Sequence, residues 1–317
     1  MERSANPFAP PMRSGAGSAA GLGASASLLI DPKRLAQCFD REPFGFSHSL
    51  ERLGCFGPRA LRQLAARYAG HPRDYFVSAG AASPRTAFTA VAHGQCGIEE
   101  ALELIDRRAL RILFKRPENY DREFRELLET LLAQVLGLLG GVRGVRVVRR
   151  EAGLFVTAAH CITPVHFDPE VAFFMQVRGE KTYHIYAPQS MSEAELERFY
   201  RRGAISIAEV NLRARDPRDE HVFQLLPGEG LHQPQNSPHW VQTGAWRSVS
   251  YSFVFETDVS RARARTRGCN YFLRHVGLRP APPGRHPARD AAKERAMQRF
   301  LALRRRYWNI MGRIRGW

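Results

Sequence analysis

Residues 163–186 read TPVHFDPEVAFFMQVRGEKTYHIY. Ala172 to Val177 and Thr182 to Tyr186 are short, β-branched and aromatic runs, separated by the turn residues Arg178-Gly179-Glu180 in what reads as an apolar hairpin. Working outward, Val145 to Val148, Gly153 to Thr157, His221 to Leu226 and Val249 to Phe255 have the same texture. Pro227-Gly228-Glu229-Gly230 adds a second strong turn signal. Many short strands without regular intervening helices favour an antiparallel barrel or sandwich over a parallel sheet. A single helical insert, Ser192 to Arg201, interrupts them.

Upstream, from Phe44 to about Val142, the pattern is mainly helical. Arg59 to Tyr68, Ile98 to Arg108 and Tyr120 to Leu139 carry apolar residues at three- and four-residue spacing. Residues 1–26, rich in Ser, Ala, Gly and Pro, read as a disordered arm. The spacing therefore predicts four segments: the arm, a helical N-terminal region over 27–144 packed on the core, a β core over 145–257, and a basic helical region over 258–317. In the last, a Pro-rich linker (Pro280 to Pro287) precedes a helix from about Ala288 to Trp308.

The chain has 317 residues, 47 basic against 31 acidic, for a net charge of +16. That charge is localised: residues 261–317 hold 16 basic and 2 acidic residues, leaving 31 against 29 before them. Only Lys33, Lys115, Lys181 and Lys293 are lysines. Five cysteines (Cys38, Cys55, Cys96, Cys161, Cys269), scattered and without a CxxC pair, argue against a disulfide framework or structural zinc and suit a reducing cytoplasm. The most apolar stretch, Leu127 to Val142, is interrupted by Glu129, Thr130 and Gln134 and is too short to span a bilayer. No secretory leader is evident, and a cytoplasmic protein is expected.

In an extended chain residues i and i+2 share a face, so His166 and Asp168 can offer an imidazole and a carboxylate to one metal ion. Chance placement gives roughly 0.35 such His-x-Asp pairs in this composition, so the pair alone decides little. A second imidazole is available at His239, at the end of the Pro-flanked loop Pro234-Gln-Asn-Ser-Pro238-His239. Two His and one carboxylate, with three positions open, form the facial triad of non-haem Fe(II) oxygenases. Lys181, the lone lysine between Lys115 and Lys293, offers a compact cation for one carboxylate; the bland alternative is a solvated lysine at a turn.

Together these residues carry a resemblance. Thr-Pro-x-His-x-Asp (163–168), Phe-Phe-x-Gln-x-x-Gly-x-Lys (173–181), Leu-x-Pro-Gly-Glu-Gly (225–230) and Pro-x4-His (234–239) are similar to the JmjC/cupin-like family of Fe(II)- and 2-oxoglutarate-dependent oxygenases, especially its asparaginyl-hydroxylase-like branch and bacterial cupin-like members. Glu42-Pro-Phe-x-Phe-x-His-x-Leu50 resembles the N-terminal region of those bacterial members. The resemblance implies a mainly β protein with helical flanks around a double-stranded β-helix, or jelly-roll, core. It implies Fe(II) on His166, Asp168 and His239, with Thr163 and Lys181 binding the distal carboxylate of the cosubstrate 2-oxoglutarate. The implied reaction is oxidative decarboxylation of 2-oxoglutarate by dioxygen to succinate and CO2, coupled to hydroxylation of a peptide side chain or small molecule. One departure stands out: asparaginyl hydroxylases have Asn four residues after the metal Asp, where this chain has Ala172, which implies either looser cosubstrate binding or substitution by a neighbour such as Gln176. That departure supports the alternative reading, a non-catalytic cupin-like metal-binding or regulatory protein; the intact triad opposes it.

Several other residues have plainer readings. His232 is expected at a core edge, Trp240 and Phe167 in walls, and Cys161 as a small buried residue. For the basic tail, three readings compete: docking of the C-terminal helix on the core or its use in a homodimer, contact with an acidic partner, and nucleic-acid binding. The first is preferred, because no nucleic-acid motif accompanies the charge. Arg261, Arg263, Arg265 and Arg267 would form one cationic face if the segment were a strand.

Overall fold

The computed structural model describes residues 26–92, 96–140, 146–203 and 208–314. The expected N-terminal arm lies outside these residues except for Ala26. In chain order the strands are β1 (Leu28–Leu29), β2 (Phe44–His48), β3 (Tyr75–Ala79), β4 (Leu110–Lys115), β5 (Val147–Thr157), β6 (Ile162–Phe167), β7 (Val171–Arg178), β8 (Lys181–Tyr186), β9 (Ala208–Glu209), β10 (Glu220–Leu225), β11 (Glu229–Gln233), β12 (His239–Thr243) and β13 (Ser248–Thr257). The helices are α1 (Pro32–Cys38), α2 (Pro58–Tyr68), α3 (Ile98–Leu104), α4 (Arg122–Leu138), α5 (Glu193–Tyr200), α6 (Asp258–His275) and α7 (Pro287–Ile314). They build one antiparallel sheet ordered β1-β2-β11-β7-β13-β5-β4-β3 and a second ordered β10-β8-β12-β6-β9.

Alternation along the central strands divides the large sheet into two chemically distinct faces. Leu154 and Val156 of β5, Phe173 and Met175 of β7, and Tyr251 and Phe253 of β13 pack into one cluster with α2 and α4. Helix α4 adds Phe124, Leu127, Leu128, Leu131, Leu132 and Val135, one stripe at helical spacing. A helix of this length is marginal alone, so this burial, about 2 kcal/mol for each large side chain, is what holds it. The opposite face carries Gly153, Phe155, Thr157, Ala172, Phe174 and Ser252, which line a cavity shared with the small sheet. The site is therefore made by the half of the alternation that faces away from the helices.

Three expectations are corrected. The region over 27–144 is not only helical: it also supplies β1 to β4 to both edges of the large sheet. Their pairing is non-local, β4 with β5 and β2 with β11, and short runs do not show it from their own composition. Val145 to Val148 and Gly153 to Thr157 are not separate strands: Val147 to Thr157 is continuous as β5, with Arg149 held by Glu151 and Glu170. Finally, β7 and β8 are not a hairpin. The chain leaves one sheet at Arg178 and enters the other at Lys181.

Gly179 makes that crossing possible. Its φ is +66°, and an added Cβ would lie 2.5 Å from the Arg247 carbonyl oxygen. Gly179→Ala is expected to lower stability by about 2 kcal/mol or more, from left-handed backbone cost plus a clash with main chain that cannot rotate away. Denaturant unfolding measures it, and an unchanged midpoint would refute the crossing geometry.

The Arg-rich segment after Thr257 is helix α6, not a strand, started by the Thr257/Ser260 capping box. At helical periodicity its alternating arginines scatter round the axis. Arg267 pairs with Glu193 and Arg274 with Glu197, tying α6 to α5, while Arg265 pairs with Glu294 of α7. Gly268 marks a close crossing, 2.8 Å from the buried Met297 of α7 to an added Cβ. Part of the tail's charge is thus engaged in intramolecular packing. Among the described residues no helix is long and apolar enough to cross a membrane.

Candidate metal centre

Strands β6 and β12 pair with His166 opposite His239, and the two rings stand 4.2 Å apart. Each imidazole is aimed the same way. His166 Nδ1 lies 2.8 Å from the Pro164 carbonyl oxygen, and His239 Nδ1 lies 3.0 Å from that of Ser237. A carbonyl only accepts, so each Nδ1 must carry the proton and each Nε2 presents its lone pair. The Asp168 oxygens face both: 3.9 Å to His166 Nε2 and 3.7 Å to His239 Nε2. One donor atom from each of the three residues falls within 4.8 Å of the others, the sole such group of His, Cys, Asp and Glu among the described residues. Two neutral imidazoles and a carboxylate suit a divalent cation of the first transition row.

The electrostatics support this donor set. Burial, with the neighbouring His239, pushes the His166 imidazole down to about 3, so it is neutral. Burial alone would raise the Asp168 carboxyl, but His166, His239 and the Gln233 amide outweigh it and hold it below the usual carboxylate range. The loop that returns His239 is braced: Asn236, at φ +64°, donates its N–H to the Asp168 carbonyl and accepts from the Tyr200 hydroxyl at 2.6 Å. Asn tolerates that left-handed conformation better than most residues.

Lys181 opens β8 and turns inward. Its ammonium is buried between the Phe155 and Phe174 rings, 5.8 and 5.4 Å from their centroids, and donates to Ser250 Oγ at 2.9 Å. Burial, reinforced by Arg111, lowers its pKa from 10.5 to about 7. The solvated-turn alternative is therefore removed. Thr163, His166, Asp168, Lys181 and His239 all line one cavity of about 660 Å³.

Several residues here carried no sequence signal. Tyr183 stacks on His239 and donates to Gln233 Oε1 at 2.6 Å, and Gln233 Nε2 donates to Asp168 Oδ2 at 3.0 Å. This chain of hydrogen bonds aims the carboxylate. Gln233→Leu is expected to weaken divalent-metal binding about 10- to 100-fold, as loss of an outer partner of a metal ligand does. Titration with Co(II) measures it, and unaltered affinity would remove Gln233 from the site. Gln176 does not stand in beside Ala172. It is fully buried, with Ser250 donating to its Oε1 and its amide donating to the Arg178 carbonyl. The amide at this place comes from the adjacent strand: Ala172 pairs directly with Gln233, so both side chains share one face. His232 is a core residue, stacked against Phe39, Phe44 and Phe173, and accepts from the Asp40 N–H.

Fold and site together define a two-sheet antiparallel protein with a His-Asp-His centre inside a cavity that also holds a buried lysine. No family model matches the chain, and no curated protein matches it in sequence. Among solved structures it is similar to Escherichia coli YcfD, at 14% identity and a TM-score of 0.50, over 87% of this chain and 68% of that one. A structure of YcfD, described as a ribosomal oxygenase, in complex with cobalt and 2-oxoglutarate aligns over the same shares at 15% identity and a TM-score of 0.49. At these identities the likeness concerns the fold.

Proposed function

We propose that this chain is an Fe(II)- and 2-oxoglutarate-dependent oxygenase, a hydroxylase built on a double-stranded β-helix. The observation that carries the reading is the convergence of two Nε2 lone pairs and one carboxylate in a cavity that also holds a buried ammonium, further along the same small sheet. His166, Asp168 and His239 would hold Fe(II); Lys181, with the Thr163 hydroxyl, would hold the distal carboxylate of 2-oxoglutarate. The bound metal would supply activation of dioxygen coupled to conversion of 2-oxoglutarate to succinate and CO2. The protein's own part is to keep both imidazoles in the ligating tautomer, aim Asp168 through Gln233, and exclude water with the Phe155 and Phe174 walls.

In this proposal residues 145–257 form the catalytic core, 27–144 a flanking region that widens its large sheet, and 258–317 a docked helical region. The described oxygenase role of YcfD supports the fold's suitability for this chemistry, and its ribosomal association favours a peptide substrate over a small molecule. All five cysteines are free, which suits the proposed cytoplasmic location. The exposed Leu303, Tyr307 and Trp308 of α7 leave apolar surface for the homodimer expected of that helix. The test is direct. Purified protein with Fe(II) should convert 2-oxoglutarate to succinate; neither turnover nor metal-dependent 2-oxoglutarate binding would end the enzyme reading in favour of a non-catalytic metal-binding protein.

A further inference from the structure

Strand β4 alternates cleanly. Ile112 and Phe114 enter the helix-side core, whereas Arg111, Leu113 and Lys115 line the cavity. At about 3.4 Å per residue, Arg111 and Lys115 stand roughly 13 Å apart along the wall. Arg73 continues the row, its carbonyl accepting from Lys115 Nζ at 2.9 Å. The cavity is lined by six basic side chains (Arg73, Arg111, Lys115, Arg116, Arg149, Lys181) and three carboxylates (Glu151, Asp168, Glu170). The carboxylates are already engaged: Asp168 faces the two imidazoles, and Glu151 and Glu170 both accept from Arg149. Arg116 is paired with Asp74 at 2.6 Å.

Arg111 therefore stands out. Among the described residues its guanidinium has no ion pair or hydrogen bond, only the Phe88 ring 5.9 Å away, and Phe88 itself lies 5.1 Å from the His166 ring. Burial lowers its pKa to about 10. In the proposed reading Lys181 takes the distal carboxylate of the cosubstrate, and Arg111 is a further cation of the same cavity with no anion of the protein assigned to it. A desolvated guanidinium without a counter-charge is costly, and its fork geometry matches a carboxylate.

We infer that the substrate is anionic, an extended acidic peptide segment that lies along β4, places one carboxylate on Arg111 beside the metal centre and directs a second toward Lys115 and Arg73. This rests on the proposed oxygenase reading. The span of about 13 Å matches four residues of extended chain, and Phe76, Leu113 and Phe155 offer an apolar floor for the stems.

The test uses full-length protein with Fe(II) and 2-oxoglutarate under argon. Fluorescein-labelled Gly/Ser peptides carrying two glutamates four positions apart are compared with glutamine and lysine counterparts. The glutamate peptide should bind at least tenfold tighter than the glutamine peptide, and the lysine peptide weakest. Arg111→Gln should remove that tenfold preference, Arg111→Lys should restore part of it, and the more exposed Lys115→Gln should reduce it with no risk to the core. Displacement by N-acetylglutamate as effectively as by unlabelled peptide would identify a small carboxylic acid as the source and overturn the peptide assignment. Equal or tighter binding of the lysine peptide would overturn the anionic class. Loss of 2-oxoglutarate binding in Arg111→Gln would also overturn the inference, since Arg111 would then serve the cosubstrate. Failure of the wild type to bind 2-oxoglutarate, with the glutamate preference retained, would instead defeat the oxygenase reading alone.

Discussion

Replacing Lys181 by Met is expected to weaken 2-oxoglutarate binding strongly and to raise thermal stability in the same variant. The buried ammonium has only Ser250 as a hydrogen-bond partner, between two aromatic rings. A charge-assisted bond to a ligand carboxylate in such a site is worth about 1.5–3 kcal/mol, so its loss should weaken affinity by about 10- to 100-fold. For stability the sign is opposite. Folding lowers the Lys181 pKa from 10.5 to about 7, so the folded chain disfavours the protonated form. That penalty, roughly 5 kcal/mol on the scale of 1.36 kcal/mol per pH unit, is complete below about pH 7. It fades as pH rises toward 10.5, where the unfolded chain also loses the proton. The melting temperature of Lys181→Met should thus exceed that of wild type by several degrees at pH 6, with the gap closing toward pH 10. In the wild type, 2-oxoglutarate affinity should fall as pH rises above 7, because the carboxylate requires the ammonium. Calorimetric titration and thermal unfolding across pH read both effects. A variant that binds 2-oxoglutarate normally would remove Lys181 from the site.

Asp168→Ala should lower divalent-metal affinity at least about 100-fold, more than loss of an outer partner does. Asp168 is the one anionic donor of the triad, and without it two neutral imidazoles face the cation. The main chain there is held independently, since the Asp168 carbonyl accepts the Asn236 N–H, so the fold should survive. Co(II) titration followed by its visible spectrum tests this. Intact metal binding together with an unchanged melting temperature would show that the ion is held elsewhere.

Much of the site's chemistry was legible because it is local. His166 and Asp168 are two apart on a strand, and His239 follows a Pro-braced loop. Lys181 is conspicuous among arginines. Helices α2 and α4 were visible as apolar stripes, and α5 as the helical insert from Ser192 to Arg201. What escaped depends on pairing between distant strands. Gln233 reaches Asp168 only because β11 lies beside β7. Arg111 enters the cavity only because β4 joins the edge of β5. The alternating arginines of α6 misled for the complementary reason: the same run is strand-like or helical until Glu193, Glu197 and Glu294 supply its partners.

The sequence by itself determined which donors exist, their spacing along the chain, and that one lysine stands apart. Only the tertiary structure decided that the lysine is buried in the same cavity as the triad, that Gln233 covers the place next to Ala172, and that the Arg111 guanidinium is left without a partner. The physical reason is that ligand identity is a property of residues. Tautomer, burial and charge balance are instead properties of neighbours, and strand pairing brings those neighbours together from positions such as Gln233 and Asp168, 65 residues apart.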